Sequence, residues 1–331
     1  MVKTIIKSKT ILSLLLCMTM VFSLGATSMS ASAASIADEE ISTNDTYNFY
    51  RQCDNATGII LEKYDTEING DNNVDYFELA TSMSSEKSDR IAAMNFITVI
   101  YDYVNSAEKA TLKSYIKSYA PYTDEANLHS FCERLADHTK ARSTSAYSAE
   151  AAVEYANQYW QNYNPAYPDL NTLGGDCANF VSQCLYAGGK QMNGDWYIYQ
   201  KNDTYMSPAN TTQLNASWDL ADPSPWISAE EFNNYWSDYC STYEYTLSNY
   251  QSNHTSVYNS GNVKTGDVLL LLERVLWWYE GNHVMIIVGL DSTNTDFIYA
   301  GHSNNRIDGT ILGNICASYG SSYKIKFFSI S

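Results

Sequence analysis

The sequence predicts an α+β chain in two parts: a small, mostly helical part, then a part in which one short buried helix packs on an antiparallel sheet. Three observations carry that expectation. Gly174-Gly175-Asp176-Cys177 opens an apolar stripe, Cys177, Phe180, Val181, Cys184 and Leu185, at helical spacing. Beyond Asp267 the hydrophobic runs follow one another with short connections, which suits antiparallel pairing. Before about Thr139 the chain holds helix signals and no chemical motif.

The first 33 residues read as a secretory signal peptide rather than as part of the fold. Lys3, Lys7 and Lys9 precede an apolar run from Ile11 to Leu24, and Ala31-Ser32-Ala33 offers a small-residue cleavage site before Ala34. The run is short for a membrane span. The mature chain is therefore expected to be secreted and free of the membrane after cleavage. Alternating hydrophobics over Ile59–Ile68 and Val74–Ala80, around the turn Asn69-Gly70-Asp71-Asn72-Asn73, predict a β-hairpin. The same stretch has a second reading as a calcium loop. Glu67, Asn69, Asp71, Asp75 and Glu78 fall at its first, third, fifth, ninth and twelfth positions, though Glu opens it and Asn72 replaces the glycine at the sixth. Helices are predicted over Ser88–Val104, from a Ser106 cap to Tyr119, and from Thr123 to about His138. Polar residues Thr139–Ser145 then read as a linker. This divides the chain into a signal peptide at 1–33, a module of unknown function at 34–140 and a second domain at 145–331.

The second domain opens with a predicted helix over Ser148–Asn162. Gly188-Gly189 predicts a left-handed end to the Cys177 helix. Residues 190–225, rich in Trp, Tyr, Asn and Pro, predict long loops over a cleft. Ser228 caps a helix to about Tyr239, and strands are expected at Asp267–Leu272, His283–Leu290, Phe297–Gly301 and Tyr323–Ile330.

The chemistry concentrates on Cys177 and His283. A thiolate is a strong nucleophile when a helix start and an imidazole lower its pKa, and Cys177 is placed on a first helical turn. His283 opens an apolar strand, Val284-Met285-Ile286-Ile287-Val288, where a general base can sit. A third polar group usually fixes such an imidazole. His302, at the end of the next strand, and Asn304, two residues on, are the candidates. Asp176 either orients the loop before the helix or caps the helix.

Gly174–Gly189 resembles the nucleophile motif of the putative amidase domain family of secreted bacterial proteins. That family is similar to the papain-like cysteine peptidases of the NlpC/P60 and CHAP groups. Further matches come in the same order: Ala151–Ala156, Ser217-Trp218, Gly266-Asp267-Val268, His283–Gly289 and Tyr299–Ser303. The resemblance covers roughly residues 145–331 and implies a papain-like fold, with the nucleophile helix packed on the sheet that carries the base. NlpC/P60 similarity favours His302 as the orienting group, while papain-like sites generally use Asn or Asp. Tyr167 matches the position of an NlpC/P60 tyrosine that helps the Cys177 amide hold an oxyanion.

Composition narrows the partners. Losing three lysines and no acid with the first 33 residues takes the formal charge from −17 to −20. A chain this acidic is a poor ligand for nucleic acid or anionic lipid. No His-Glu-x-x-His, cysteine ligand pair, Ser-based elbow or phosphate loop is present, so neither a resident metal nor a cofactor is expected. Cys53 and Cys132 could pair, but irregular spacing leaves the cysteine framework open. The function expected is secreted cysteine-dependent hydrolysis of an amide, with a peptide or amide in peptidoglycan as the substrate implied by the resemblance. Acyl transfer by the same site, or a non-catalytic binding protein, is the alternative.

Overall fold

Asp54, Thr57, Leu61 and Asp65 are buried at intervals of three and four residues, which is the spacing of a helix face. They lie on α1 (Glu39–Asn69), the first element of the computed structural model, which describes residues 39–69, 74–135, 147–303 and 305–330. The signal peptide, the 139–145 linker and Asn304 lie outside the described residues. The expected hairpin is corrected: Ile59–Ile68 is helical, and Tyr76–Thr81 forms a second helix, α2. The calcium loop is corrected with it. Glu67 and Asn69 belong to the last turn of α1, Asp71 lies outside the described residues, and Asp75 is used as the cap of α2, accepting the Glu78 N–H at 2.8 Å. Among the described residues no group of three or more His, Cys, Asp or Glu could hold a metal ion.

Helices α3 (Ser88–Ile100), α4 (Ser106–Tyr119) and α5 (Ala126–Leu135) complete the first part. The cap of α4 is Asn105 rather than Ser106. Asn105 Oδ1 accepts the Glu108 N–H at 3.0 Å, and the Glu108 carboxylate accepts the Asn105 N–H at 3.1 Å, a reciprocal capping box. The interior is organised around a buried cation. Arg90 donates to Asp54 at 2.9 Å and to the Ala80 carbonyl at 3.0 Å, with the Tyr119 ring 4.0 Å from its guanidinium carbon. Tyr119 closes the set by donating to Asp54 at 2.9 Å. Cys53, Cys132, Cys177, Cys184, Cys240 and Cys316 are all free thiols.

The second part is built on a six-stranded, wholly antiparallel sheet in the order β3-β8-β4-β5-β6-β7. Its strands are β3 (Ser241–Thr246), β4 (Val268–Val275), β5 (Trp278–Asp291), β6 (Asp296–Gly301), β7 (Arg306–Thr310) and β8 (Tyr323–Ser329); β1 (Ile198–Gln200) and β2 (Trp218–Leu220) form a separate ribbon. Two layers of helix cover the sheet because both faces are apolar. Leu270, Leu272, Val284 and Ile286 pack toward α6 (Ala149–Tyr159), α7 (Cys177–Ala187) and α9 (Ala229–Trp236). Leu269, Leu271, Met285 and Ile287 pack on the other face with α10 (Leu247–Ser260). Helix α8 (Thr211–Ser217) lies in the long 190–225 region. Ser217 and Trp218 are structural there: Trp218 Nε1 donates to the Tyr205 carbonyl at 3.0 Å and Ser217 Oγ to Asn202 at 2.7 Å.

The described parts form one compact unit. Trp278, at the start of β5, is buried in the core of the first part. Ser114 of α4 donates to Glu231 of α9 at 2.6 Å, and Lys117 pairs with Asp238 at 2.9 Å. Gly281 is a glycine because a Cβ there would lie 2.6 Å from the Ala229 carbonyl oxygen. That close approach lets the Gly281 N–H donate to Glu230 at 2.7 Å.

Burial pushes Glu230 up to about 8, and Glu231 and Glu280 up to about 7. A carboxyl whose folded-state pKa is raised contributes stability that is present below its ordinary value of 4.5 and is lost as pH rises through the folded value. His283, pushed down to about 4, acts in the opposite sense, but only below its ordinary 6.5. The protein is therefore expected to lose stability as pH rises from about 4.5 to about 8. Glu230→Gln keeps an acceptor for Gly281 and cannot ionise, so urea denaturation should give a flatter fall over that interval. An unchanged slope would place the ionisation elsewhere.

Candidate active site

Cys177 is the first residue of α7, and its position is set by two glycines before it. Gly174 and Gly175 have φ of 123° and 138°, a region that L side chains rarely adopt, so the chain can turn sharply into the helix. Asp176 occupies the position before the helix, but its side chain makes no capping hydrogen bond. It orients the loop instead. Oδ1 accepts from the Leu170 N–H at 3.1 Å and from Asn179 Nδ2 at 2.8 Å, and Oδ2 lies 2.6 Å from His302 Nδ1. The Asp176 N–H donates to Ser303 Oγ at 3.1 Å. Asp176 is fully buried, and burial raises its pKa while His302 and the amide donors act against that rise.

His302 is locked on every side. Nε2 lies 2.7 Å from the Tyr159 carbonyl oxygen, at the C-terminal end of α6. A carbonyl can only accept, so Nε2 carries the proton of that contact, while Nδ1 shares a hydrogen bond with the Asp176 carboxyl. Its faces are covered by Phe180, stacked at 4.0 Å, and Tyr163 at 4.3 Å. Both ring nitrogens are thus engaged, and neither bonds to His283. The structure ties His302 to the base of the nucleophile helix.

The Cys177 sulfur faces the backbone N–H of Val284, so it lies against β5 one residue beyond His283. His283 pairs across the ladder with Leu271, and its ring lines a recess of about 20 Å³ with Met285, Tyr299 and Arg306. A Cβ on Gly301 would come within 3.3 Å of His283 Nε2, so the glycine leaves room for the ring. Among the described residues, His283 makes no side-chain hydrogen bond and none joins it to Cys177. Burial, and then the charge of His302, push His283 down to about 4. Burial pushes Cys177 up to about 11, and the N–H groups of Val284, Ala178 and Cys177 only partly offset it. Desolvation outweighs the helix-start effect expected from the sequence, so burial favours the neutral thiol at Cys177 and the neutral imidazole at His283.

Tyr167 stacks on Trp226 with ring centres 6.0 Å apart, and burial pushes its hydroxyl up to about 12, which keeps it a donor. Three residues not singled out from sequence complete the frame. Asn179 donates to the Pro168 carbonyl at 2.9 Å and accepts from Trp226 Nε1 at 3.0 Å, while Ser303 receives the Asp176 amide. Asn179 lies three residues after Asp176 on the same helical turn, which is the signal that could have identified it.

Removing one partner of this buried hydrogen-bonded pair leaves the other unsatisfied, at a cost of about 1–3 kcal/mol. Asp176→Asn should lower the unfolding free energy by an amount of that order in urea denaturation at pH 7. A loss below about 1 kcal/mol would mean that the pair does not hold the loop.

Residues 146–328 match a family described as a putative amidase domain. The uncharacterised protein YhbB of Bacillus subtilis (strain 168) is 26% identical over 171 residues, which are 49% of this chain and 43% of the relative. The chain therefore spans less than half the length of that relative. No solved structure matches. With more than half of its length inside the family's extent, the chain belongs to the putative amidase domain family, a membership that points to hydrolysis of an amide C–N bond.

Proposed function

We propose that the protein is a secreted cysteine amide hydrolase of papain-like type, acting on a peptide or amide bond of peptidoglycan. The reading rests on the Cys177 sulfur, at the first residue of a buried helix, standing next to Val284, the strand residue that follows His283; the His283 ring itself lines the recess with Met285 and Tyr299 on the other face of the sheet, so the proton transfer requires that ring to turn toward the sulfur. Secretion rests on the basic, then apolar, then small-residue order of the first 33 residues. The wall substrate rests on secretion together with the NlpC/P60 resemblance. Among the described residues no helix is long and apolar enough to cross a membrane.

In this reading the thiol is deprotonated as it attacks. His283 takes the Cys177 proton while sulfur bonds to the carbonyl carbon. The oxyanion is met by the Cys177 amide, one of the N–H groups that a first helical turn leaves unpaired, and by the Tyr167 hydroxyl. His283 then protonates the leaving amine, and a thioester forms on Cys177. Water, deprotonated by His283, attacks the thioester and releases the acid. His302 acts as a positioning residue, holding the start of α7 through Asp176.

Muropeptide digests analysed by mass spectrometry should contain new amine and acid ends with the wild-type protein and none with Cys177→Ala. His283→Ala should lose nearly all turnover, because the base serves both half-reactions. Intact muropeptides with the wild type, or cleavage that persists in Cys177→Ala, would overturn the reading. The pH profile supplies a second check. The active form has a neutral imidazole and a neutral thiol, so kcat/KM should fall on the acid side near about 4 and on the alkaline side near about 11. An acid limb near the ordinary 6.5 would show that substrate meets a more exposed histidine.

A further inference from the structure

Away from Cys177, a cavity of about 500 Å³ lies between the two parts of the chain. One wall is α4, whose Lys109, Lys113 and Lys117 stand four residues apart and so rise along one face. Asp195 and Asp222, on the 194–197 and 221–225 loops, form the opposite wall. The floor is α9 and the turn after it, with Glu231, Asn234 and Asp238. Tyr197 and Tyr235 line the same space, and Tyr235 is held as a platform by stacking on Tyr239 at 4.4 Å and by a 2.6 Å hydrogen bond from Asn193.

The floor is largely satisfied from within. Ser114 donates to Glu231, Asn234 donates to Ser118 at 3.1 Å, and Lys117 pairs with Asp238 at 2.9 Å. The walls are not. Among the described residues Lys109 has no ion pair, only the Tyr101 ring at 5.6 Å, and Lys113 reaches Asp238 at 3.5 Å, an acid already taken by Lys117. Asp222, on the rim, makes neither a hydrogen bond nor an ion pair among the described residues.

We infer that this cavity binds a short neutral oligosaccharide, with Lys109, Lys113 and Asp222 as hydrogen-bonding groups and Tyr197 and Tyr235 as stacking faces. The charge pattern selects the ligand class. Lys109, Lys113 and Lys117 share the cavity with Asp195, Asp222, Asp238 and Glu231, of which Glu231 is already taken by Ser114, so the cavity carries both signs and neither dominates. It offers strong donors on one wall and strong acceptors on the other. A hydroxyl both donates and accepts, so a polyhydroxylated ring can use both walls at once. Tyrosine rings present an apolar face for the C–H side of a sugar and a polar tip for its rim. The volume lies within the usual range of about 300–1,000 Å³ for small-molecule sites, and the position between two packed parts is a common one for them. This inference goes beyond the amidase reading and does not rest on it.

Isothermal titration calorimetry on the whole chain carrying Cys177→Ala tests it, with maltotriose, cellotriose and chitotriose as probes and trialanine as the peptide control. At least one trisaccharide should bind saturably. Tyr197→Ala and Lys109→Ala should each weaken that binding roughly tenfold, equivalent to about 1.4 kcal/mol, at an unchanged melting temperature. If either variant fails to fold, Asp222→Asn, an exposed rim substitution, should show the same weakening. The inference is overturned if no trisaccharide binds, if trialanine binds more tightly than every sugar, or if the folded variants bind sugar as the parent does.

Discussion

The placement of Cys177 depends on one buried carboxylate. Asp176 joins the loop at Leu170, the helix residue Asn179 and the strand-end residue His302, while its own amide reaches Ser303. Three separate segments are fixed to the residue just before Cys177. The cost of burying this charge is offset by two donors, Leu170 N–H and Asn179 Nδ2, and by an imidazole that is itself held by the end of α6. A polar network of this kind tolerates little displacement, because each member that moves leaves another unsatisfied. Precise placement of a sulfur atom calls for that property, and an apolar packing of similar size would lack it.

The same logic recurs at the junction between the two parts. Trp278 reaches from β5 into the helical core, where it meets the Arg90–Tyr119 cluster, and Glu230 clamps the hairpin through Gly281. Strand β5 carries His283 five residues after Trp278. The helical part is thus anchored on the strand that holds the candidate base, although it contributes no side chain to the Cys177 site. Its physical role there is to brace one end of β5, while its α4 face supplies a wall of the separate cavity.

Much of the sheet domain was legible from sequence because its signals were local. Ser228 caps the helix it was expected to cap, the helix expected over Ser148–Asn162 runs from Ala149 to Tyr159 with Ser148 as its cap, and the four expected strands lie in β4, β5, β6 and β8. The edge strands β3 and β7 were missed. β3 alternates with tyrosine and threonine rather than aliphatic residues, and β7 holds a charged pair and a glycine, so neither carries a strong hydrophobic period. Helix α10 was missed because its residues are mostly Ser, Asn and Thr and only Leu247, Tyr250 and Val257 are buried. The hairpin expectation failed on α1 because short apolar alternation over Ile59–Ile68 is compatible with either period. The helical burial of Asp54, Thr57, Leu61 and Asp65 rests partly on a charge that Arg90, 36 residues away, and Tyr119, 65 residues away, make acceptable inside. In the site, Cys177 and His283 were visible as motif residues. The Asp176–His302 pair was not, because 126 residues separate the partners and nothing local marks them as a pair.

The protonation state of the site follows from this architecture. Packing that fixes Cys177 also removes it from water, and removing a thiol from water favours the uncharged form. Packing that fixes His302 as a cation-capable ring places that charge near His283 and disfavours a second one. The two effects act on opposite partners, but both disfavour the thiolate–imidazolium pair. With the thiol near 11 and the imidazole near 4, a standing ion pair has no place in the resting site. In the reaction we propose, proton transfer accompanies bond formation to the carbonyl carbon, where the developing oxyanion and its donors supply the stabilisation that water would otherwise give. In that reading the Cys177 thiol stays masked until an acyl group occupies the site, and a masked thiol is also a protected one, since oxidation proceeds through the thiolate.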